Sequence, residues 1–583
     1  MNQGHAETDE LAPPDAKPDA MARDAPPDAK MAADARGGVR AWLNREALNR
    51  ALIGLSFVTI AYLFVNILMF RYGRDQGIYA TVADTVLRGG MPYRDAWDFK
   101  PPGIYVVYAA TRAVFGSGQW AIRLVEVLGL ASTVAAFVLL SRRFFSDWRI
   151  GIVGGALAVL VHAELEFWHT AQPESFGGML TAWALVLASL EPSPADPRAD
   201  RKRVALWSGA GALYGFCFLL KPPLGGGALV SAAFAAYRMR TAVSSRSWAA
   251  RLRTLSTPFL CMASGGAAVV AACAAWFVAR GAERELYDTL FVFTPHYTKL
   301  SWQDATVPGM VYLALEEWFV DLSGVNAAGL LAAFILAPIA PREREGVVHL
   351  LLVIAVQLVG VAMQGKFFPY HYGASVMLGS LIAGLGAFKL WQRAIAKGAW
   401  AVLAYTAALP VIVQARSATR NTETDFLDRC LVRQRHLLGA SGMTRDELDG
   451  KLYSVADVSY DADRRVADFL RQALSPDELA FIWGFEPMIY DMSERRPATR
   501  FIYDVPQRVA WFKDIARAEL LTDLDRRPPK AIVVEHRDVF PAVTGDAIDS
   551  ADTLKRFPAL DARIKGDYAL ATTIEDFDVY LAR

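Results

Sequence analysis

Asp75 and Lys100 stand near the two ends of the stretch RDQGIYATVADTVLRGGMPYRDAWDFKPPG, which follows directly on the first long apolar segment of a 583-residue chain. A carboxylate five residues beyond such a segment lies at a membrane interface, where it can face a protein cavity instead of lipid and act as a general base. Lys100 precedes Pro101 and Pro102, which stiffen the chain and open a helix expected over Gly103–Phe115, so its ammonium is held in place. Asp98, Tyr79 and Tyr93 belong to the same stretch, which is far more than a plain connector requires, and are expected to line a substrate cavity. On periodicity alone the plainer reading is that Asp75 and Lys100 are ordinary interfacial charges, and it stands beside the catalytic one. A second constellation, His162, Glu166 and His169, is spaced i, i+4 and i+7 on one helical face. That face suits a metal, or a polar cluster that lines the substrate cavity, with Glu166 and His169 in it, or is hydrogen-bonded between helices, although the order is not H-E-x-x-H.

The elements that must position these residues are membrane helices. Hydrophobic residues make up 54% of the chain, charged residues 21%, and there are 31 Phe and 15 Trp, which is too apolar for a soluble protein of this length. Apolar runs long enough to cross hydrocarbon predict about eleven spans, near 51–70, 120–140, 150–168, 176–190, 204–220, 224–237, 258–278, 322–339, 347–363, 373–388 and 398–415. Lys and Arg gather around 142–149, 198–203, 238–253, 342–344 and 389–397, all on one side of an eleven-span arrangement. That side is expected to be cytoplasmic, with the N-terminus, and the opening stretch is expected on the outer face. A net charge of +1 and the lack of a basic patch interleaved with aromatics argue against nucleic acid as a partner. Of four cysteines, Cys217, Cys261 and Cys273 lie in apolar segments, so no disulfide framework is expected.

Three regions follow from composition: residues 1–45, a disordered cytoplasmic tail in which APPDAK occurs twice; 46–415, the membrane domain; and 416–583, a soluble outer α/β domain. In the last, an amphipathic helix is expected over 461–474 and another over 507–524. LAFIWG, ATRFIY, AIVVEH, YALATTI and FDVYLA read as strands. Neither G-x-G-x-x-G after a strand nor G-x-x-x-x-G-K-[ST] occurs there, so no nucleotide is assigned.

An acid just after the first span, then GMPYRDAWDFKPPG, then QPESFG after the third span and QGKFFPYHYG after the ninth, resembles the GT-C class of membrane glycosyltransferases. Within it the chain is similar to family 39, the protein-mannosyltransferase-like branch that includes bacterial lipid A aminoarabinose transferases. The resemblance covers roughly 51–388 and implies inverting transfer of a sugar, hexose or pentose, from a polyprenyl-phosphate carrier to an acceptor hydroxyl on a lipid, glycan or protein, in a bacterial inner membrane. By the same resemblance Asp75 matches the first-loop acid, general base or acceptor-orienting group, and Lys100 the lysine that meets the carrier phosphate. Glu174 is the candidate for the second-loop acid. Gln76 stands where many relatives carry Glu, so the paired-acid motif is incomplete; a divalent metal stays open as a cofactor and no other is expected.

Lys366, Tyr370 and His371 crowd a short outer turn, where contact with phosphate or sugar and plain interfacial anchoring are both open. His296, Tyr297 and Trp302 suit stacking on a sugar or donor lipid, or an aromatic belt. Lys221, before Pro222, reads as a helix-end charge. A transporter or flippase for lipid-linked sugars is the alternative function, but it calls for inverted repeats and midplane acids.

Overall fold

The computed structural model describes residues 44–193, 195–240, 247–321, 324–336, 338–418, 426–455 and 458–583. The tail expected to be disordered lies outside them up to residue 43. A helix stands at each of the eleven places where a span is expected. Six of the described helices are long and apolar enough to cross a membrane: Arg45–Leu68, Gln119–Phe145, Ala199–Leu220, Trp248–Ala279, Arg344–Gln364 and Pro369–Lys397. The count of eleven is therefore not reproduced. Trp148–Glu164 and Pro173–Ser189 have 17 residues each and are buried along most of their length, so neighbouring helices rather than lipid surround them.

Small residues set the spacing of the bundle. A Cβ on Gly384 would stand 2.5 Å from the Gly154 backbone, and one on Gly211 would collide with the Met262 carbonyl, so Pro369–Lys397 lies directly on Trp148–Glu164, and Ala199–Leu220 on Trp248–Ala279. The expected helix after the prolines runs over Gly103–Phe115. The stretch before it folds as a second helix, Arg74–Leu87, followed by a compact loop.

The chain after the bundle forms a mixed sheet. Its strands, after a short hairpin of β1 (Ser454–Val455) and β2 (Val458–Ser459), are β3 (Leu479–Trp483), β4 (Arg496–Pro497), β5 (Ala531–Glu535), β6 (Tyr568–Ile574) and β7 (Phe577–Ala582). The order is β4-β3-β5-β7-β6. β3 is parallel to β4 and β5, while β7 runs antiparallel to β5 and β6. The expected helices fall at Tyr460–Ala473 and Lys513–Arg526. ATRFIY is not a sheet strand. Ala498 still donates to the Ala480 carbonyl of β3 at 2.9 Å, and from there the backbone turns to the opening loop, the Trp97 N–H donating to the Arg500 carbonyl at 2.7 Å.

That pairing shows how closely the sheet domain is fitted to the loop. Trp97 is buried against Phe293, Tyr503 and Phe512, and Gly77 lies so close to Met488 that a Cβ would approach it to 2.5 Å. Arg112 joins Asp84 and Asp491 across the same contact, at 3.0 and 2.7 Å.

Candidate active site

The opening loop, the turn at 168–174, the end of helix Ala199–Leu220 and the turn at 364–371 meet at one end of the bundle around a cavity of about 660 Å3. The sheet domain closes one wall with Phe485, Phe540 and Val543. Asp75 and Lys100 face each other inside it, Lys100 Nζ donating to Asp75 Oδ2 at 2.7 Å and to the Tyr79 hydroxyl at 2.5 Å. Gln172 Nε2 donates to the same Asp75 oxygen at 3.1 Å, and the Tyr79 hydroxyl donates back to Gln172 Oε1 at 2.8 Å. Burial raises the Asp75 pKa, but the charge and hydrogen bond of Lys100, with Gln172, more than offset it and hold the carboxyl below its usual range. Asp75 is thus an anion with a cation already beside it.

Backbone geometry aims these groups. Tyr93 has φ of 68°, and its hydroxyl donates to the Lys100 carbonyl at 2.7 Å. Tyr105 donates to that carbonyl at 3.1 Å and to Asp98 at 2.7 Å; Tyr503 of the sheet domain takes the other Asp98 oxygen at 2.7 Å. The Lys-Pro-Pro turn is therefore pinned from both domains. Tyr79, Tyr93 and Asp98 were expected to line the substrate cavity; they lie behind its wall instead, fully buried, and position Lys100. Burial raises the Asp98 carboxyl despite Lys100 and its two tyrosine donors.

Glu174 opens helix Pro173–Ser189, where the helix dipole favours an acid, and pairs with Lys221. Its Oε2 has no hydrogen-bond partner among the described residues and is buried at the cavity. Lys221 does end helix Ala199–Leu220, as a helix-end charge should, but its ammonium belongs to the site. The signal was legible: Lys221-Pro222-Pro223 repeats Lys100-Pro101-Pro102. Lys366, Tyr370, His371 and His169 also line the cavity. Lys366 lies 4.2 Å over the Tyr297 ring and donates to the Ala542 carbonyl, and desolvation lowers its pKa from 10.5 to about 8. Tyr370 stands beneath both Lys100 and Lys221, 5.4 and 5.8 Å from its ring.

Two expected site residues are elsewhere. His296 stacks on Trp511 of the sheet domain at 6.0 Å and bonds the Val292 carbonyl, because its helical turn presents it away from Tyr297. Glu166 is buried in an ion pair with Arg429 at 3.0 Å and Arg433 at 2.7 Å. The shared face with His162 and His169 is lost because the helix ends at Glu164 and Glu166 takes φ of 62°. His162 binds Glu126 instead, at 2.8 Å. Among the described residues no group of three or more His, Cys, Asp or Glu could hold a metal ion. Gln76, in the place of a second acid, spends its amide on structure: it accepts from the Gly73 N–H at 2.9 Å and donates to the Phe167 and Thr170 carbonyls at 3.0 and 2.6 Å. Arg74 is a site residue that sequence reasoning missed. It lines the cavity, pairs with Glu486 at 2.6 Å and lies 4.3 Å over the Phe540 ring; only the folded sheet domain reveals that role.

Residues 99–276 match the family described as dolichyl-phosphate-mannose-protein mannosyltransferase. Among solved structures the chain is similar to ArnT from Cupriavidus metallidurans bound to undecaprenyl phosphate, at 15% identity over 91% of this chain and 97% of that one, with a TM-score of 0.55. Its fold is that of ArnT. The apo state of ArnT aligns at the same identity and TM-score over 91% and 98%. The archaeal oligosaccharyltransferase AglB from Archaeoglobus fulgidus, in complex with an inhibitory peptide and a dolichol-phosphate, aligns at 11% identity over 92% and 74%, with a TM-score of 0.45. Comparison with curated protein sequences gives no match. The resemblance to protein-mannosyltransferase-like GT-C proteins read from the opening stretch therefore holds. Lys100, Glu174 and Lys221 fall inside the stretch matched to the family; Asp75 and Lys366 fall outside it.

Proposed function

We propose that this chain transfers a sugar from a polyprenyl-phosphate carrier to an acceptor hydroxyl, with inversion, at the outer face of a bacterial inner membrane. The observation that carries the reading is the contact of Asp75 with Lys100 inside a cavity at one end of the bundle, a general base and a fixed cation 2.7 Å apart. An alcohol becomes nucleophilic only as its proton leaves, and a positioned carboxylate contributes roughly 100- to 10,000-fold to such a step. As the acceptor oxygen bonds the anomeric carbon, the bond from that carbon to the phosphate oxygen breaks and negative charge grows on the phosphate. Lys100 stabilises that charge more than the ground state.

The ion pair suits the order of events. With the donor absent, Lys100 keeps Asp75 a weak base. A phosphate that draws the ammonium toward itself weakens the pair and raises the basicity of Asp75 when the donor is in place. A protein of the same fold bound to undecaprenyl phosphate supports a lipid carrier as donor. The acceptor is a lipid, glycan or protein that reaches the same cavity, one wall of which is formed by Phe485, Phe540 and Val543. Purified protein carrying Asp75→Asn, supplied with labelled polyprenyl-phosphate sugar and envelope acceptor, is expected to give no product while remaining folded. Near-normal turnover would remove Asp75 as the base.

A further inference from the structure

The cavity occupies one end of the bundle, and a second built feature occupies the other. Helix Gly227–Met239 begins beside Pro222 and Pro223 of the active cavity; helix Arg344–Gln364 ends beside Lys366. At their opposite ends Arg143, Arg238, Arg240 and Arg342 converge on a pocket of about 440 Å3 with Glu191 and Glu345. Glu191 pairs with Arg143 at 2.6 Å, and Glu345 pairs with Arg238. Among the described residues Arg240 and Arg342 have no carboxylate partner, so two of the four charges in the pocket stay uncompensated.

An independent feature adjoins it. The same two helices leave an apolar groove of about 400 Å3 between them, with Leu229, Ala233 and Phe234 on one side and Leu352, Val356 and Val359 on the other. Leu229 and Val359 are about half exposed or more, at 67% and 52%. Phe234 stands between groove and pocket, its ring 6.4 Å from Tyr237 and stacked on His349 at 4.2 Å. From Leu229 to Arg240 the helix rises about 16 Å, half of a hydrocarbon core of about 30 Å. A basic pocket and an apolar groove that follow one another along the same two helices over the depth of one leaflet match the charge and shape of a phospholipid.

We infer that this face binds an anionic glycerophospholipid, its phosphate between Arg240 and Arg342 and one acyl chain in the groove. A zwitterionic headgroup would bring a cation into a pocket that already has a surplus of positive charge, so the pocket selects for net negative lipids. The site is separate from the sugar-transfer reading and stands or falls without it.

The test is native mass spectrometry of the full chain in detergent, titrated with dioleoylphosphatidylglycerol, dioleoylphosphatidylcholine or glycerol 3-phosphate. One phosphatidylglycerol per chain is expected to be retained, with phosphatidylcholine at least about tenfold weaker. Arg240→Gln with Arg342→Gln should lose at least about tenfold in phosphatidylglycerol affinity, on the scale of one interaction per basic side chain near an anionic surface. The paired lysine substitutions should retain most of it. Ala233→Trp, which fills the groove and leaves every charge, should weaken the lipid and not glycerol 3-phosphate. Equal binding of the two lipids, or unchanged affinity in the glutamine double variant, would reduce the site to ordinary surrounding lipid. Glycerol 3-phosphate binding as tightly as the whole lipid would make it an anion site and overturn the inference.

Discussion

Lys100 does two things that substitution separates. Its ammonium lowers the Asp75 carboxyl, and in the proposed reaction it meets the carrier phosphate. Lys100→Ala is expected to reduce donor use more than acceptor use, because the phosphate loses the cation beside Asp75, and the cavity's other lysines are tied elsewhere, Lys221 to Glu174 and Lys366 to the Ala542 carbonyl. Lys100→Arg should retain part of the rate, since charge survives while the compact geometry does not. Transfer rate against polyprenyl-phosphate-sugar concentration reads both; identical donor dependence in both variants and parent would return Lys100 to an ordinary interfacial charge and revive the transporter reading. Lys366 supplies a pH signature. With its pKa near 8, the cation is present below that pH and lost above it, so donor affinity should fall as pH rises through about 8, and Lys366→Arg should remove that alkaline limb. Folding stability moves the other way. Between about 8 and 10.5 the folded chain has released a proton that the unfolded chain retains, so this group favours folding progressively as pH rises. Of these residues Asp75, Lys100 and Lys366 were legible because each sits at a break between apolar runs, where a charge has to face water or protein. Glu166 was not, since helical spacing assumed a helix that stops two residues earlier.

At the scale of elements, the segment 166–172 is a single helical turn, Glu166–His169, and the residues after it; it brings Trp168 and His169 to the cavity and is tied down by charge. Glu166 and Ala171 both adopt positive φ, at 62° and 54°. Arg123 donates to the Thr170 hydroxyl at 2.8 Å and to the Phe167 carbonyl at 3.0 Å, and Glu126 accepts from the Ala171 N–H. Glu166 ties the same turn to helix Phe426–Leu437 through Arg429 and Arg433. Glu166→Ala leaves two buried guanidiniums without their carboxylate, a change of about 3–5 kcal/mol in systems of this kind. The variant is expected to melt well below the parent in a thermal unfolding series, and Asp75→Asn close to it. Equal melting of Glu166→Ala and parent would show that the turn is held by its backbone contacts alone. Sequence spacing found the residues of this turn but not their pairing, because the partners come from positions more than 250 residues away.

For the whole molecule, the sheet domain belongs to the candidate cavity and is no appendage to it. It supplies Phe485, Phe540 and Val543 to the wall, Glu486 to Arg74 and Tyr503 to Asp98. The proposed orientation, with the five basic loops in the cytoplasm, puts that domain on the outer face, so an alkaline phosphatase fusion at Ala440 is expected to be active and a green fluorescent protein fusion there dark. The reverse pattern would put the cavity on the cytoplasmic face and with it the proposed donor side.

What the chain determined by itself was local: where apolar runs make helices, where Lys-Pro-Pro stiffens a turn, and which acid and lysine stand at the membrane boundary. ATRFIY reads as a strand by composition; only its first residue stays with the sheet, the Ala498 N–H donating to the Ala480 carbonyl of β3 at 2.9 Å, and beyond it the backbone pairs with Trp97 in the first loop. Tertiary structure alone decided that Lys221 meets Glu174, that Gln76 is a structural amide, and that Arg74 reaches the cavity. Each of those outcomes depends on a hydrogen-bond or charge partner distant in sequence, and for a buried polar group that partner, rather than its own spacing, fixes its orientation.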